Sequence, residues 1–396
     1  MSSSLVGSEM CIRDRTKDVL YTFFFLASLI AYIYYREKRH LKLLLVLSLF
    51  LFVFSCLAKG MAVTLFAVVV LIDYFKEKRI TRQMWLEKVP FLVISLLFGY
   101  KAYLAQSAQD GIYEVALQNY SIIDRMIFFP AYSILTYVGK MFVPINLSII
   151  YPYPEKTGAL LPFPYFIMPV ILGGLLFALF KFRKNKAIVF GVLFYLACIL
   201  PVSQIISVGQ SVVSERYFYV SSIGLFFLLG MGVDYLWEKG IPFQAALGVT
   251  LLTITTVLTG MTQKRAEVWH YTYTLWEDFT KTHPDDSRGY YNLGYLYYKN
   301  YLIPEDQMPP GETKEKNRQF AMQFFREAVA RDFSNKKAHL NLGNCFYREN
   351  KFVEALPHFQ NAAKADSTYE LAYFNLGNVH YMLQDYPSSI QNYLKA

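Results

Sequence analysis

Charged side chains are scarce in this sequence, and cysteines are scarcer still. Lysine, arginine, aspartate and glutamate together make up 17% of the 396 residues, whereas hydrophobic residues make up 54%. One soluble core cannot bury that much apolar surface, so the chain needs lipid as a solvent. Of the four cysteines, Cys56 and Cys198 fall within apolar runs and Cys345 stands alone in the polar second half. This pattern excludes a disulfide framework and a CxxC metal site.

Signatures of soluble enzymes are missing as well. The sequence has no HExxH, Walker, dinucleotide-binding or GxSxG motif, and its six histidines are scattered. We therefore predict no metal ligands in this chain and no certain cofactor. A net charge of +9 is compatible with nucleic-acid binding, but the basic residues of the first half form short clusters between apolar runs. Such clusters orient membrane proteins, so we expect no nucleic-acid partner.

Neither end of the sequence resembles a natural boundary. Residues 1–15 lack the apolar core and the small-residue cleavage site of a signal peptide, and they resemble translated adapter sequence. We leave them out of the fold prediction as a non-native leader. The last residue, Ala396, falls partway through a repeat. We therefore expect a fragment that is truncated at both ends.

Long apolar segments fill residues 16–262, for which we predict an all-α, polytopic bundle of membrane helices. A helix that crosses the hydrocarbon core needs about 17 to 25 apolar residues, because every backbone polar group must be satisfied within it. Eight segments meet or approach that length: 18–35, 41–57, 61–75, 89–105, 161–180, 187–206, 217–236 and 241–260. From residue 263 to 396 the composition is that of a soluble helical domain.

Basic clusters between these segments predict the side on which each loop lies. The clusters occupy residues 36–39, 76–82 and 181–186. Because Lys and Arg are retained preferentially in cytoplasmic loops, we place all three clusters in the cytoplasm. Lys59, the loop 106–123 and the domain 263–396 then lie on the outer side. A bacterial cytoplasmic membrane, with the soluble domain in the periplasm or outside the cell, is the predicted location.

One further apolar segment, 126–143, competes with 161–180 for the crossing that returns the chain to the cytoplasm. Its polar residues Ser133, Thr136, Tyr137 and Lys140 recur at helical spacing and so share one face. A helix with one polar face suits the membrane interface better than the lipid interior. We therefore predict that 126–143 lies along the outer interface and that the chain crosses eight times.

Three related strings recur in the second half of the chain: Asn292-Leu293-Gly294, Asn341-Leu342-Gly343 and Asn375-Leu376-Gly377. The last two are 34 positions apart, which is the period of tetratricopeptide (TPR) repeats. Small and aromatic residues that close the paired helices follow, notably Ala355 and Phe359. We predict about three TPR repeats, the last incomplete, that bind a protein partner or acceptor. The pair Asp285-Asp286 is predicted to cap the first repeat helix rather than to form an acidic metal site, and the prolines around 304–311 place an insertion within that repeat.

The residues that best suit chemistry are polar groups at the predicted membrane edges, where an ionisable side chain is costly. Lys59 lies at the tip of a tight hairpin, and snorkelling to the interface is an equally good explanation for it. Glu215 and Arg216 open an apolar helix, with Gln204, Tyr217 and Tyr219 at the same depth. An arginine there can donate two parallel hydrogen bonds to a lipid phosphate, although a structural Glu-Arg pair is the alternative.

These strings resemble the bacterial relatives of the transmembrane-and-TPR-containing O-mannosyltransferases, a branch of the GT-C glycosyltransferases. The resemblance runs through Ala58-Lys59, Ala62-Val63-Thr64-Leu65 and Asp73-Tyr74, then Pro144-Ile145-Asn146-Leu147-Ser148, Glu215-Arg216-Tyr217 and the trailing repeats. It implies a polyprenyl-phosphate sugar donor and sugar transfer on the non-cytoplasmic face. Lys59 and Arg216 would then contact the donor phosphate, with Glu215 orienting Arg216 and Gln204, Tyr217 and Tyr219 in support.

The resemblance also implies a catalytic acid in the first outer loop, which can act as a general base on the acceptor or organise a divalent metal. No outer loop precedes Asp18, so we expect the catalytic acid, and any metal that it organises, to lie upstream of this sequence. Gly60 stands where eukaryotic members often have an acidic residue after the hairpin lysine. Two other functions stay open, a non-catalytic membrane-anchored TPR scaffold and a polysaccharide ligase or polymerase. The short loop before Arg216 argues against the ligase.

Overall fold

The computed structural model describes residues 8–38, 40–77, 81–109, 120–158, 160–205, 211–304 and 313–396, without the side chains of 8–15 and 106–109. Within these ranges the protein is all-α, and the only β-type pairings are isolated bridges. Contacts divide the chain into two compact units, one of which is Glu9–Leu258, while the other contains Thr259–Ala396. The composition placed this division after residue 262.

The first unit is a bundle of apolar helices. Its helices are α1 (Ser8–Glu37), α2 (Lys42–Ala58), α3 (Leu65–Lys76), α4 (Arg82–Leu86), α5 (Val89–Gln109), α6 (Phe129–Phe142), α7 (Phe163–Lys181), α8 (Lys186–Ile199), α9 (Phe218–Trp237) and α10 (Ile241–Val268). Each of the eight segments predicted to cross the membrane overlaps one of these helices, and 187–206 runs past the end of α8 at Ile199. The third begins in a short 3-10 turn, Gly60–Thr64, before α3.

Five helical stretches of the described residues are long and apolar enough to cross a membrane: Thr16–Glu37, Arg82–Ala105, Phe163–Lys181, Glu215–Trp237 and Ile241–Val268. Helices α2 and α8 are apolar but shorter. At about 1.5 Å per residue, the 17 residues of α2 extend roughly 26 Å against a hydrocarbon core of about 30 Å. The length criterion therefore supports five crossings, and the count of eight stays a prediction.

The core of this unit joins α1, α2, α3 and α5 through aromatic and branched side chains. Its largest buried members include Tyr21, Phe25, Phe52, Leu65, Val68 and Phe91. Helices α8 and α9 approach one another at paired glycines, because a Cβ on Gly224 would lie 2.4 Å from the carbonyl oxygen of Gly191. In contrast, most of α7 and all of the apolar window of α10 are unburied, as expected of faces that contact lipid.

Two of the four polar residues on the polar face of α6 point into the protein. Ser133 and Tyr137 are almost fully buried. The Ser133 hydroxyl lies 3.3 Å from the carbonyl oxygen of Ser203, and the Tyr137 hydroxyl lies 3.0 Å from that of Ser214. Loop carbonyls must find donors, and this helix supplies them. The polar spacing predicted a one-sided helix, and the placement of 126–143 along the outer interface stays a prediction.

The second unit consists of antiparallel helix pairs. Its helices are α11 (Thr272–Thr282), α12 (Ser287–Leu302), α13 (Lys314–Arg331), α14 (Lys336–Arg348), α15 (Phe352–Ala365), α16 (Glu370–Met382) and α17 (Tyr386–Tyr393). Leu293, Leu342 and Leu376 are buried. A Cβ on Gly294, Gly343 or Gly377 would meet the ring of Phe325, Phe359 or Tyr393 at under 3 Å, so glycine is what lets each pair close.

The start of the first repeat helix is capped as predicted. The Asp286 carboxylate accepts a hydrogen bond from the backbone N–H of Arg288 at 2.9 Å, so the N-cap prediction is confirmed. Most of the predicted insertion, 305–312, lies outside the described residues, between the end of α12 and the start of α13. Ala355 and Phe359 of α15 are fully buried between the paired helices.

Candidate functional site

Lys59 lies where α2 ends, at one end of the bundle. Its backbone is extended, with φ −157° and ψ 132°, and this breaks the helix before the 3-10 turn Gly60–Thr64. The next residue, Gly60, packs against α5, since a Cβ there would be 3.0 Å from the Cβ of Ala102. The break therefore fixes the Lys59 backbone while its four-carbon side chain projects to a site where 20% of it is exposed.

The Lys59 ammonium lies among an acid and two aromatic rings. It forms an ion pair with Asp18 of α1, whose carboxylate is largely buried. The ammonium is also 5.7 Å from the ring centre of Tyr21 and 5.2 Å from that of Tyr217. An aromatic face attracts a cation, so both rings stabilise the charge in this position.

Arg216 reaches the same aromatic ring. It lies in the 3-10 turn Glu215–Tyr217 that leads into α9, and its guanidinium carbon is 5.3 Å from the ring centre of Tyr217. Because both cations lie within 5.3 Å of the same ring centre, the ammonium of Lys59 and the guanidinium of Arg216 are near one another. The structure brings together these two predicted site residues, although they are far apart in the sequence.

Glu215 contacts a different partner from the one predicted. Its carboxylate accepts a hydrogen bond from the hydroxyl of Tyr151. Tyr151 is anchored in turn, because its carbonyl oxygen accepts from the N–H of Val212 at 2.9 Å and its ring lies 5.3 Å from the ammonium of Lys140. Glu215 thus ties the turn that carries Arg216 to the loop before α7, and its role in orienting Arg216 stays a prediction.

The two remaining supporting residues differ in their placement. Gln204 is buried and has a positive φ of 70°. Its side-chain oxygen accepts from the hydroxyl of Tyr153 at 2.7 Å, and its side-chain nitrogen donates to the carbonyl of Ser211 at 2.9 Å. Gln204 therefore holds the loops around the site. Tyr219 is 59% exposed on α9, and no described contact joins it to Lys59 or Arg216.

Asp18 and Tyr21 belong to this cluster but were missed as site residues in the sequence. A usable signal was present, because Asp18 is an ionisable residue at the edge of an apolar helix, the same criterion that selected Lys59. Tyr21 follows three residues later and shares its helical face. What the sequence does not show is that α1 and α2 bring Asp18 and Lys59 to the same end of the bundle.

A second charged cluster lies toward the other end of α1. Asp73 of α3 is fully buried and lies between two cations, with Arg36 Nε 3.0 Å from one oxygen and the Lys88 ammonium on the other. The hydroxyl of Tyr32 is 3.0 Å from both carboxylate oxygens. This network joins α1, α3 and α5, so the charge of Asp73 holds these helices together.

No cluster of three or more His, Cys, Asp or Glu side chains that could hold a metal ion occurs within the described parts of the chain. Asp18 and Glu215 contribute their carboxylates to an ion pair and a hydrogen bond instead. The three described cysteines, Cys56, Cys198 and Cys345, are buried and unpaired with one another. The chemical capacity of the site therefore rests on two cations, two aromatic rings and two carboxylates.

Two comparisons with known proteins bear on these features. A family model described as a TPR repeat matches residues 343–384. Protein O-mannosyl-transferase Tmtc3 of Drosophila melanogaster is 26% identical to this chain over 161 residues. The match covers 39% of this chain and 15% of the fly protein, so the chain spans a small part of that relative. The chain thus contains a TPR repeat and is loosely similar to a protein named as a protein O-mannosyl-transferase.

Proposed function

We propose that this chain is part of a GT-C-type membrane glycosyltransferase, which transfers a sugar from a polyprenyl-phosphate donor to an acceptor on the non-cytoplasmic face. The observation that carries the proposal is the meeting of Lys59 and Arg216 at the ring of Tyr217. Two cations at one end of an apolar bundle suit a ligand with a phosphate head and a hydrocarbon tail. The likeness to a protein O-mannosyl-transferase supports the same chemistry.

The two cations would bind the phosphate differently. A guanidinium presents a planar pair of N–H donors that matches two phosphate oxygens, whereas an ammonium acts as a point charge. Arg216 would therefore orient the phosphate, and Lys59 would neutralise its charge. The polyprenyl tail would extend into lipid along the unburied faces of the bundle.

The TPR unit supports a role in protein binding. Helix pairs of this kind present extended surfaces to partners. We propose that this unit binds the acceptor protein or a partner on the outer side of a bacterial cytoplasmic membrane. Within the repeats, the packing residues are committed to closing the helix pairs, so binding falls to the exposed side chains, such as Phe374 and Tyr381.

Substitutions of Arg216 test the proposed phosphate contact. In the full-length protein, Arg216→Ala and Arg216→Lys are both expected to weaken binding of a polyprenyl-phosphate sugar about tenfold or more, because lysine cannot make the paired contact. Binding is measured by native mass spectrometry in lipid nanodiscs. Lys239→Ala is the matched control, since Lys239 also lies over a tyrosine ring, at 4.7 Å from the centre of Tyr235.

Unchanged donor binding together with a lower melting temperature would assign Arg216 to anchoring the helix. Absence of any donor binding by the full-length protein, with retained capture of a protein partner, would favour the membrane-anchored TPR scaffold. The control variant Lys239→Ala is expected to bind donor as the wild type does, because Lys239 follows α9 at its other end.

A further inference from the structure

The ion pair between Asp18 and Lys59 differs from the fully buried pair of Asp73 and Lys88 in the same bundle. One oxygen of Asp18, Oδ1, contacts the Lys59 ammonium, while Oδ2 is buried and has no hydrogen-bond partner among the described residues. In Asp73, by contrast, both oxygens lie within 3.0 Å of the Tyr32 hydroxyl, and each also contacts a cation. Asp73 is fully satisfied, and Asp18 is half satisfied.

This difference has an energetic consequence. A buried carboxylate oxygen without a partner loses its hydration and gains no hydrogen bond. The Asp18–Lys59 pair therefore contributes little to the stability of the fold. The cation side is also different, because the Lys59 side chain is 20% exposed whereas the Lys88 side chain is 1% exposed. Lys59 can therefore be reached by an incoming anion, and Lys88 cannot.

We propose that Asp18 is the resident counter-ion of the phosphate site, which occupies Lys59 in the empty protein and is displaced when a polyprenyl phosphate binds. This inference rests on the function proposed above. Lys59 has a flexible side chain on a fixed backbone, so its ammonium can exchange one oxygen ligand for another without moving a helix. The rings of Tyr21 and Tyr217 stabilise the cation whichever anion it faces.

The charges around the site show why a counter-ion matters. Among the described residues of the site, Lys59 and Arg216 carry two positive charges, and Asp18 and Glu215 carry two negative ones. An incoming phosphate therefore meets a site whose positive charge is already compensated, and it competes with Asp18 for Lys59. Such competition keeps donor affinity moderate, which favours release of the spent polyprenyl phosphate after sugar transfer.

Replacing Asp18 by asparagine removes the competing charge and preserves the shape of the side chain. We expect Asp18→Asn in the full-length protein to bind a short-chain polyprenyl phosphate about three- to tenfold more tightly than the wild type, the range expected for a partly exposed ion pair. Asp18→Ser is the second variant, in case the amide makes new hydrogen bonds. Asp73→Asn, which breaks the satisfied network, should lower the melting temperature and leave affinity no tighter.

The double variant Asp18→Asn/Lys59→Gln connects the effect to Lys59. If Asp18 competes for that ammonium, the tighter binding disappears when Lys59 is replaced. Weaker or unchanged binding in both Asp18 variants overturns the proposal. If Lys59→Gln alone binds polyprenyl phosphate as the wild type does, the proposed phosphate contact of Lys59 is disproved. If Lys59→Gln weakens binding but the Asp18 variants do not tighten it, only the counter-ion role of Asp18 is disproved.

Two further ligands identify the source of the phosphate. Inorganic phosphate tests the anion without its lipid tail, and phosphatidylglycerol tests an ordinary anionic lipid in the same nanodiscs. We expect the gain in Asp18→Asn to be largest for the polyprenyl phosphate. An equal gain for phosphatidylglycerol would overturn the assignment to a polyprenyl carrier and leave a general contact with anionic lipid.

Discussion

Two histidines of the second TPR repeat face one another at close range. Nδ1 of His339 lies 3.3 Å from Nδ1 of His358, and Nε2 of His339 lies 3.0 Å from the carbonyl oxygen of Phe333. If Nε2 donates to that carbonyl, the neutral His339 ring accepts at Nδ1 and the neutral His358 ring donates to it. Burial, and then the neighbouring His339, lower the pKa of His358 to about 4.

This pair predicts that the TPR unit loses stability in mild acid. The pKa of His358 in the folded state lies below the ordinary value of 6.5, so the unfolded chain binds the proton more readily. The contribution is fully present above pH 6.5 and is lost as the pH falls from 6.5 toward 4. Because His358 is partly exposed, we expect a loss of about 1 kcal/mol.

Hydrogen exchange of α14 and α15 in the full chain, corrected for intrinsic rates, measures this loss. His358→Phe keeps an aromatic ring stacked on Phe346, whose centre is 5.5 Å from that of His358. In this variant the stability of α14 and α15 should change less between pH 4 and 6.5 than it does in the wild type. An unchanged pH dependence would assign the acid sensitivity to other groups.

At the scale of elements, the contact of α8 with α9 depends on two glycines. A Cβ on Gly224 would lie 2.4 Å from the carbonyl oxygen of Gly191 and 2.8 Å from the backbone nitrogen of Tyr195. Backbone atoms cannot rotate away as a side chain can, so Gly224→Ala must separate the helices. We expect it to destabilise the protein by about 1–3 kcal/mol.

Gly230→Ala is the matched control, because it lies on the same helix and a Cβ there meets nothing within 4 Å. Thermal unfolding in detergent compares the two variants with the wild type. Gly230→Ala should melt at or slightly above the wild-type temperature, since alanine favours the helix. Equal melting temperatures for both variants would mean that α8 and α9 pack less closely than described.

The sequence predicted the helices and the TPR repeats, but it did not predict what the polar face of α6 contacts or that Asp18 pairs with Lys59. Hydrophobic length and the period of 34 report local structure directly, so the helices and the repeats could be predicted. The polar face of α6 could not be assigned, because headgroups, water and loop carbonyls all satisfy the same hydroxyls. Lys59 and Arg216 could be selected as site residues because an ionisable side chain at a membrane edge is costly in free energy. Asp18 could be assigned to the same site only once the packing of α1 against α2 was known.

At the scale of the whole molecule, contacts at one end of the bundle constrain how often the chain crosses. The ammonium of Lys186, at the start of α8, donates to the carbonyls of Tyr74 at 3.0 Å and Glu77 at 2.5 Å. Lys88, just before α5, pairs with Asp73 in the same region. The starts of α5 and α8 therefore lie at the same end of the bundle, and the chain between them makes an even number of crossings.

Helices α5 and α7 supply two crossings, since both meet the length criterion. A third crossing by α6 would make the number odd. Parity, and not length, excludes that crossing, because the π-helical turn Asp124–Phe128 runs directly into α6 and lengthens the helical segment. The polar groups of α6 are committed to the protein, so its remaining apolar side chains, such as Phe142, are the ones available to lipid.

We therefore predict that residues on either side of α6 lie on the same side of the membrane. Single cysteines at Gln106 and Glu155, in a chain whose four cysteines are replaced, should both react with an impermeant maleimide added outside sealed vesicles. A cysteine at Lys184, in the basic cluster after α7, should react only after the vesicles are opened. Labelling of Gln106 and Glu155 from opposite sides would mean that α6 crosses, and it would invert every later loop and place the TPR unit in the cytoplasm.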